Sequence, residues 1–297
     1  MARANAAYYA QKPFGQDFVT APEITQVFGE LLGAWAKIVW QMSGAPDDII
    51  LAEAGPGRGV LMADALRVWP MHNVHFIETS PVLKAEQKKR VPHAHWHESL
   101  DTIPNGPMIL LANEFLDALP VRQFVRRETG WMERFVEEQA YVEQPTFYNL
   151  PDDPVGSVRE VNESALEFCK KLSNRKAIGL FIDYGPANSA AGESVQAICN
   201  GSYADPLITA GDADLTAHVD FSAIKRTVHA QGPVKQNYFL TALGLYQRSD
   251  KLAQRHPDKA LDLRLSVQRL TAPEAMGSLF KVLAVCPSDF PPLPGFE

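Results

Sequence analysis

Apolar residues recur every three to four positions at Ile24, Val27, Phe28, Leu31, Leu32, Trp35, Ile38, Val39 and Met42. That period lines one face of a helix, and it predicts a single helix over about residues 22–42. Thr20 and Glu23 have capping-box spacing, Pro22 falls near the first helical position, and Gly44 is a suitable stop. Strand-like and helix-like stretches then alternate. DIILAEAG (48–55) reads as a strand, GVLMADALRVW (59–69) as a helix and NVHFIETS (73–80) as a strand. SPVLKAEQKKRV (80–91) reads as a helix, HAHWHES (93–99) as a short strand and GPMILLANEF (106–115) as a strongly apolar strand. Such alternation implies βαβ units and a doubly wound, Rossmann-like parallel sheet, hence an α/β fold.

The pattern changes after residue 120. VRQFVRRETGWMERFVEE (121–138) predicts a β-hairpin around Thr129-Gly130, and the polar, Pro-rich stretch 141–157 predicts a loop. Residues 157–176 return to helix, AIGLFIDYG (177–185) is a buried strand, and helices are expected near 220–230 and 236–255. LFKVLAV (279–285) supplies a last strand, and no internal repeat is present. The expected organisation is one domain over 1–297. Its core spans about 45–120 and 176–297, with a helical lid at about 8–44 and an inserted hairpin and loop at about 121–157.

A formal net charge of −7 and a pI near 5.7 argue against a nucleic-acid partner, since phosphate neutralisation needs a basic surface. The three cysteines, Cys169, Cys199 and Cys286, are far apart with no CxxC pair, which favours neither a disulfide framework nor a zinc site. The first 18 residues have no apolar signal core, and the apolar helix contains Glu23, Glu30 and Lys37, which weighs against a membrane span. A cytoplasmic enzyme or binding protein is the expectation.

The chemistry centres on LAEAGPGRGVLMADAL (51–66). Glycines at a strand-to-helix turn bring backbone N–H groups close to a ligand, although such a turn can also be only a structural corner. The dinucleotide fingerprint needs G-x-G-x-x-G. Here Val60 stands where that pattern wants its third glycine, which disfavours a dehydrogenase. The pattern from Glu53 through Gly55 and Gly57 to Gly59 is E-x-G-x-G-x-G, and it resembles the first motif of class I S-adenosylmethionine-dependent methyltransferases. A strand-end carboxylate there can hold the cofactor's ammonium. Glu78, nineteen residues after Gly59, closes the second strand, where a carboxylate can accept both ribose hydroxyls or simply be solvated.

Three further stretches resemble the MidA-like methyltransferase family: GQDFVTAPEITQVFGE, NEFLDALP and GDADLTAHVDF, with EAGPGRG, IETSP, LFIDYG and MGSLFKVL in the family's order. The resemblance runs from about residue 8 to 296. It departs at Gln16 and Leu116, and other members generally carry a further N-terminal stretch. It implies a class I methyltransferase domain, S-adenosylmethionine as cofactor, and a protein substrate, an arginine of a respiratory complex I subunit or its bacterial counterpart. The compartment would be the bacterial cytoplasm, or the mitochondrial matrix in a eukaryote. Protein arginine methyltransferases place carboxylates after the fourth strand to clamp the guanidinium. Glu114 is the expected clamp and proton acceptor with Asp117 in support, the alternative being that both cap the following turn. Asn113 would position cofactor or substrate. Asp17, Thr20 and Glu23 would form a lid over the cofactor, or Thr20 and Glu23 merely a helix cap.

Asp212, Asp214, Thr216, His218 and Asp220 form a polar cluster in which Asp220 is expected to cap the next helix and His218 to face the substrate; a metal is disfavoured. His93, His95 and His97 alternate, so a strand would put three imidazoles on one face, most simply exposed. Asp183-Tyr184 either lines the substrate cleft or stabilises a turn. The competing function is a non-catalytic assembly chaperone that uses the hairpin as a partner surface.

Overall fold

The long apolar period forms two helices rather than one. The computed structural model describes residues 1–11 and 19–297, so Asp17 lies outside the described residues. Helix α1 (Ala2–Gln11) is followed by a single turn, α2 (Ala21–Ile24), and then by α3 (Gln26–Met42). Thr25 between them is extended, and its hydroxyl accepts the Val27 N–H at 3.3 Å. That bond satisfies a donor no helical carbonyl can reach, so the cap of the long helix sits at Thr25. Thr20 makes no side-chain cap bond, and Glu23 instead takes the Arg58 guanidinium. Periodicity could not show the break, because the apolar spacing continues across it.

The expected alternation follows: β1 (Ile50–Ala54), α4 (Val60–Val68), β2 (Val74–Ile77), α5 (Pro81–Arg90), β3 (His95–His97) and β4 (Met108–Asn113). The insertion is larger than a hairpin. β5 (Arg122–Arg127) and β6 (Gly130–Glu137) are joined by β7 (Ala140–Pro145) and β8 (Val158–Val161) in a four-stranded antiparallel sheet of order β7-β6-β5-β8. β7 occupies the start of the expected loop, and β8 the start of the expected helix. Most of β7 is exposed, which removes the one-sided alternation by which a strand is recognised.

Helix α6 (Glu163–Asn174) begins at Asn162, whose side chain accepts the Ala165 N–H at 2.8 Å, and leads into β9 (Ile178–Tyr184). A small sheet of β10 (Gln196–Cys199), β11 (Ser202–Ala204) and β12 (Asp214–Thr216) comes next. Asp220 caps α7 (Phe221–Thr227), accepting the Ala223 N–H at 2.8 Å as expected. β13 (Ala230–Lys235) precedes α8 (Gln236–Ala242) and α9 (Leu245–Arg255). These two divide the helix predicted over 236–255, because Gly244 adopts φ 89°. α10 (Ala260–Thr271) and β14 (Phe280–Val285) complete the described elements.

The main sheet has order β13-β14-β9-β4-β1-β2-β3. β3, β2, β1, β4 and β9 run parallel to one another, whereas β14 runs antiparallel to β9 and β13 to β14. β1, β2, β4 and β9 are buried throughout, as helices on both faces require. Phe28, Trp35, Leu51 and Phe76 belong to one core; Leu110, Leu172, Phe181 and Phe221 belong to the other. α3 crosses α4 closely at Gly33, where a Cβ would stand 2.5 Å from the Ala65 carbonyl oxygen.

His93 and His95 are exposed as expected, but only His95 and His97 lie on β3. His93 precedes β3 and bonds the Met71 carbonyl. His97 stacks on the buried His75 of β2, with ring nitrogens 2.8 Å apart, and His95 also lies against that ring.

Candidate active site

The carboxyl ends of β1, β2 and β4 converge on two adjoining cavities of about 460 and 640 Å³, which share Tyr9, Gly55, Gly57 and Glu114. The wall between them starts at the glycine turn. Gly55 and Gly57 have φ values of 64° and 50°, and the Gly55 N–H donates to the Ile77 carbonyl at 3.1 Å. Left-handed backbone there is accessible to glycine at little cost. Glu53, at the end of β1, lines the smaller cavity and is buried. Its Oε2 has no hydrogen-bond partner. Burial, with some repulsion from Glu78, pushes its carboxyl up to about 8. An uncompensated buried carboxylate oxygen is costly, and a cation beside it would remove the cost.

Glu78 follows β2 and lines the larger cavity with Phe115 and Phe168. Its Oε1 accepts the Thr79 and Ser80 N–H groups, each at 2.8 Å, and Oε2 accepts Gln87 Nε2 at 3.0 Å. The same Gln87 amide donates to the Gly57 carbonyl at 2.7 Å, and its carbonyl accepts Trp96 Nε1 at 2.8 Å. One fully buried glutamine of α5 therefore ties the glycine turn to Glu78. Nothing in KAEQKKR distinguished it from the surrounding solvated positions. Gly59 lines neither cavity: at φ 78° it forms the N-cap of α4, and its Cβ would sit 3.3 Å from Gln87 Cα.

The acidic turn after β4 occupies the smaller cavity. Glu114 adopts φ 51° and its N–H donates to the Ile182 carbonyl at 2.9 Å. Glu114 Oε1 accepts Asn113 Nδ2 at 3.1 Å and the Ala21 N–H at 3.4 Å. Burial, reinforced by Asp117, pushes Glu114 up to about 8, and burial with Asp214 also raises Asp117. Asp117 Oδ1 and Asn113 Oδ1 are buried without partners. Asp183 Oδ2 accepts the N–H groups of Phe115, Leu116 and Asp117 at 3.0–3.3 Å, and it lines neither cavity. It stabilises the turn, while its neighbour Tyr184 lines the cavity.

Thr20, Glu23 and His218 line the same cavity. Glu23 holds Arg58, the one Lys or Arg among the described lining residues, and His218 is exposed with its ring edge-on to Tyr184. Tyr9 of α1 was missed by sequence reasoning, because a tyrosine in an Ala-rich helix carries no chemical signal. Among the described residues no group of three His, Cys, Asp or Glu could hold a metal ion.

The main sheet, its glycine turn after β1 and the strand-end carboxylates define a class I S-adenosylmethionine-dependent methyltransferase. Comparison with known proteins agrees. The profile of the family described as "S-adenosyl-L-methionine-dependent methyltransferase" matches residues 31–239, and the chain belongs to that family. It is 32% identical to the Drosophila melanogaster protein arginine methyltransferase NDUFAF7 homolog, mitochondrial, covering 95% of this chain and 78% of that one. It is 31% identical to the Homo sapiens protein arginine methyltransferase NDUFAF7, mitochondrial, covering 91% and 74%. A crystal structure of a Burkholderia thailandensis protein bound to S-adenosyl-homocysteine superposes with a TM-score of 0.85 at 25% identity, covering 95% of this chain and 82% of that one. The protein is thus an enzyme whose cofactor is S-adenosylmethionine. Among the described residues no helix is long and apolar enough to cross a membrane.

Proposed function

We propose that the enzyme methylates an arginine side chain of a protein, and that the acceptor is a subunit of respiratory complex I or its bacterial counterpart. The observation that carries this reading is the partly buried Glu114 beside the buried Asp117, whose Oδ1 has no partner, in a cavity whose lining arginine is already engaged. A pocket so arranged favours a cation that brings several N–H donors. Relatives named protein arginine methyltransferase support it. The same reading puts the chain in a bacterial cytoplasm or a mitochondrial matrix.

When bound, S-adenosylmethionine supplies an electrophilic methyl group for in-line displacement. Glu53 would face the cofactor's ammonium, with Gly55 and Gly57 admitting its amino-acid part and Glu78 turned to the ribose hydroxyls. Asn113 would orient groups through its free carbonyl oxygen, and Thr20 would close the same cavity. Glu114 would align one guanidinium nitrogen and take its proton, with Asp117 beside it and His218 at the mouth. Burial holds Glu114 neutral near pH 7, and the arriving guanidinium would favour its ionised form.

The test supplies tritiated S-adenosylmethionine and purified complex I subunits one at a time. Label should appear on one subunit at arginine. Glu114→Gln should lower transfer by at least about 100-fold while S-adenosylhomocysteine still binds. Absence of label on any subunit, with cofactor binding intact, would refute the acceptor; unchanged transfer by Glu114→Gln would refute the clamp.

A further inference from the structure

One part of the smaller cavity comes from outside the main sheet. β12 contributes Asp214 and Thr216, both buried, alongside Glu114 and Asp117. The Ala217 N–H donates to the Asp117 carbonyl at 3.0 Å, laying the end of β12 against the acidic turn. Helix α1 braces both. Asn5 Nδ2 donates to the carbonyls of Ala118 at 2.9 Å and Leu215 at 2.8 Å, and Asn5 Oδ1 accepts the Leu215 N–H at 3.1 Å. Four residues on, and therefore on the same helix face, the Tyr9 hydroxyl donates to Asp214 Oδ1 at 2.6 Å. The Tyr9 carbonyl in turn accepts Ser80 Oγ at 2.6 Å, beside the larger cavity.

This arrangement suits a planar donor of several hydrogen bonds. A guanidinium has five N–H groups, and one carboxylate engages at most two of them side by side. In a closed cavity the remaining donors need acceptors of their own. Asp117 Oδ1 is buried and unpartnered, and Asp214 is near enough to oppose its ionisation. We propose that Asp214, oriented by the Tyr9 phenol, is the second jaw of the acceptor clamp, holding the substrate guanidinium against the Glu114–Asp117 turn. The inference rests on the arginine-acceptor reading above. It makes α1 a working part of the active site, with Asp214 a substrate contact and Tyr9 a positioning residue.

The experiment measures binding of N-acetyl-arginine amide and of its neutral isostere N-acetyl-citrulline amide to protein saturated with S-adenosylhomocysteine. Wild type should bind the arginine compound and discriminate against the citrulline one. Asp214→Asn should weaken arginine amide by roughly tenfold or more and erode that discrimination, with S-adenosylhomocysteine affinity held within about twofold. Tyr9→Phe, which removes only the hydroxyl, should shift both in the same direction by roughly threefold. The inference is overturned if Asp214→Asn binds arginine amide like wild type, or if it loses cofactor affinity to the same extent. Should Asp214→Asn not fold, Tyr9→Phe decides, and unchanged discrimination overturns the proposal. Failure of wild type to discriminate arginine from citrulline refutes the arginine reading itself, and the inference with it.

Discussion

Replacing Glu53 by Gln should weaken cofactor binding by an amount that grows with pH. Glu53 is buried, its Oε2 has no partner, and burial pushes its carboxyl up to about 8. A hydrogen bond from the cofactor's ammonium to an ionised carboxylate is worth about 1.5–3 kcal/mol net. Ionising a group of pKa about 8 in order to make it costs about 1.4 kcal/mol at pH 7 and about 2.7 kcal/mol at pH 6, while the cofactor's amine stays charged at both. Glu53→Gln should therefore reduce affinity by at most roughly 15-fold at pH 7, and by at most roughly twofold at pH 6. The same linkage predicts proton release. At pH 7 about nine-tenths of the Glu53 population is protonated before binding, so the wild type should release about 0.9 proton more than the variant. Isothermal titration calorimetry in two buffers of different ionisation enthalpy reads both quantities. Equal proton release by the two proteins, or a substitution effect independent of pH, would refute the assignment of Glu53 to the ammonium.

Four more outcomes follow from particular contacts. Because Glu114 must ionise to clamp and accept a proton, kcat/KM should rise about tenfold per pH unit below about 8, and a flat profile from pH 6 to 8 would count against it. Without cofactor, thermal stability should fall between about pH 5 and 8. Glu53 and Glu114 have folded pKa values raised to about 8, so the stability they confer is complete below the unfolded value and lost as pH rises through the folded one; calorimetry at both ends checks the sign. Gly55→Ala should lower both melting temperature and cofactor affinity, because its Cβ would lie 2.9 Å from the Phe115 ring at φ 64°; an unchanged dissociation constant would contradict the placement of that turn. Thr25→Ala should cost about 1 kcal/mol in denaturant unfolding through the lost cap of α3, whereas Thr20→Ala should cost nothing through capping.

Short-range chemistry is what the chain displays by itself. The run of β1, the left-handed demand at Gly55 and Gly57, and Val60 in the third-glycine position were legible because each depends on a few consecutive residues. They sufficed for a parallel α/β sheet and a cofactor other than a dinucleotide. The four-stranded insertion was half legible: β5 and β6 alternate around Thr129-Gly130, while β7 is exposed and so lacks a one-sided pattern. The break at Thr25 was invisible for the opposite reason, since the apolar register runs through it.

What tertiary structure alone decided is the electrostatic setting of the site. Glu53, Glu114, Asp117 and Asp214 lie up to 161 residues apart (214 − 53), and no local pattern says that they share one desolvated cavity. The raised pKa values of Glu53, Glu114 and Asp117 come from that burial, and burial is a property of packing around a group rather than of its neighbours in sequence. Tyr9 and Gln87 owe their places to the same cause. Each is ordinary in its own helix and acquires a role only when the fold brings Asp214 to one and Glu78 with Gly57 to the other.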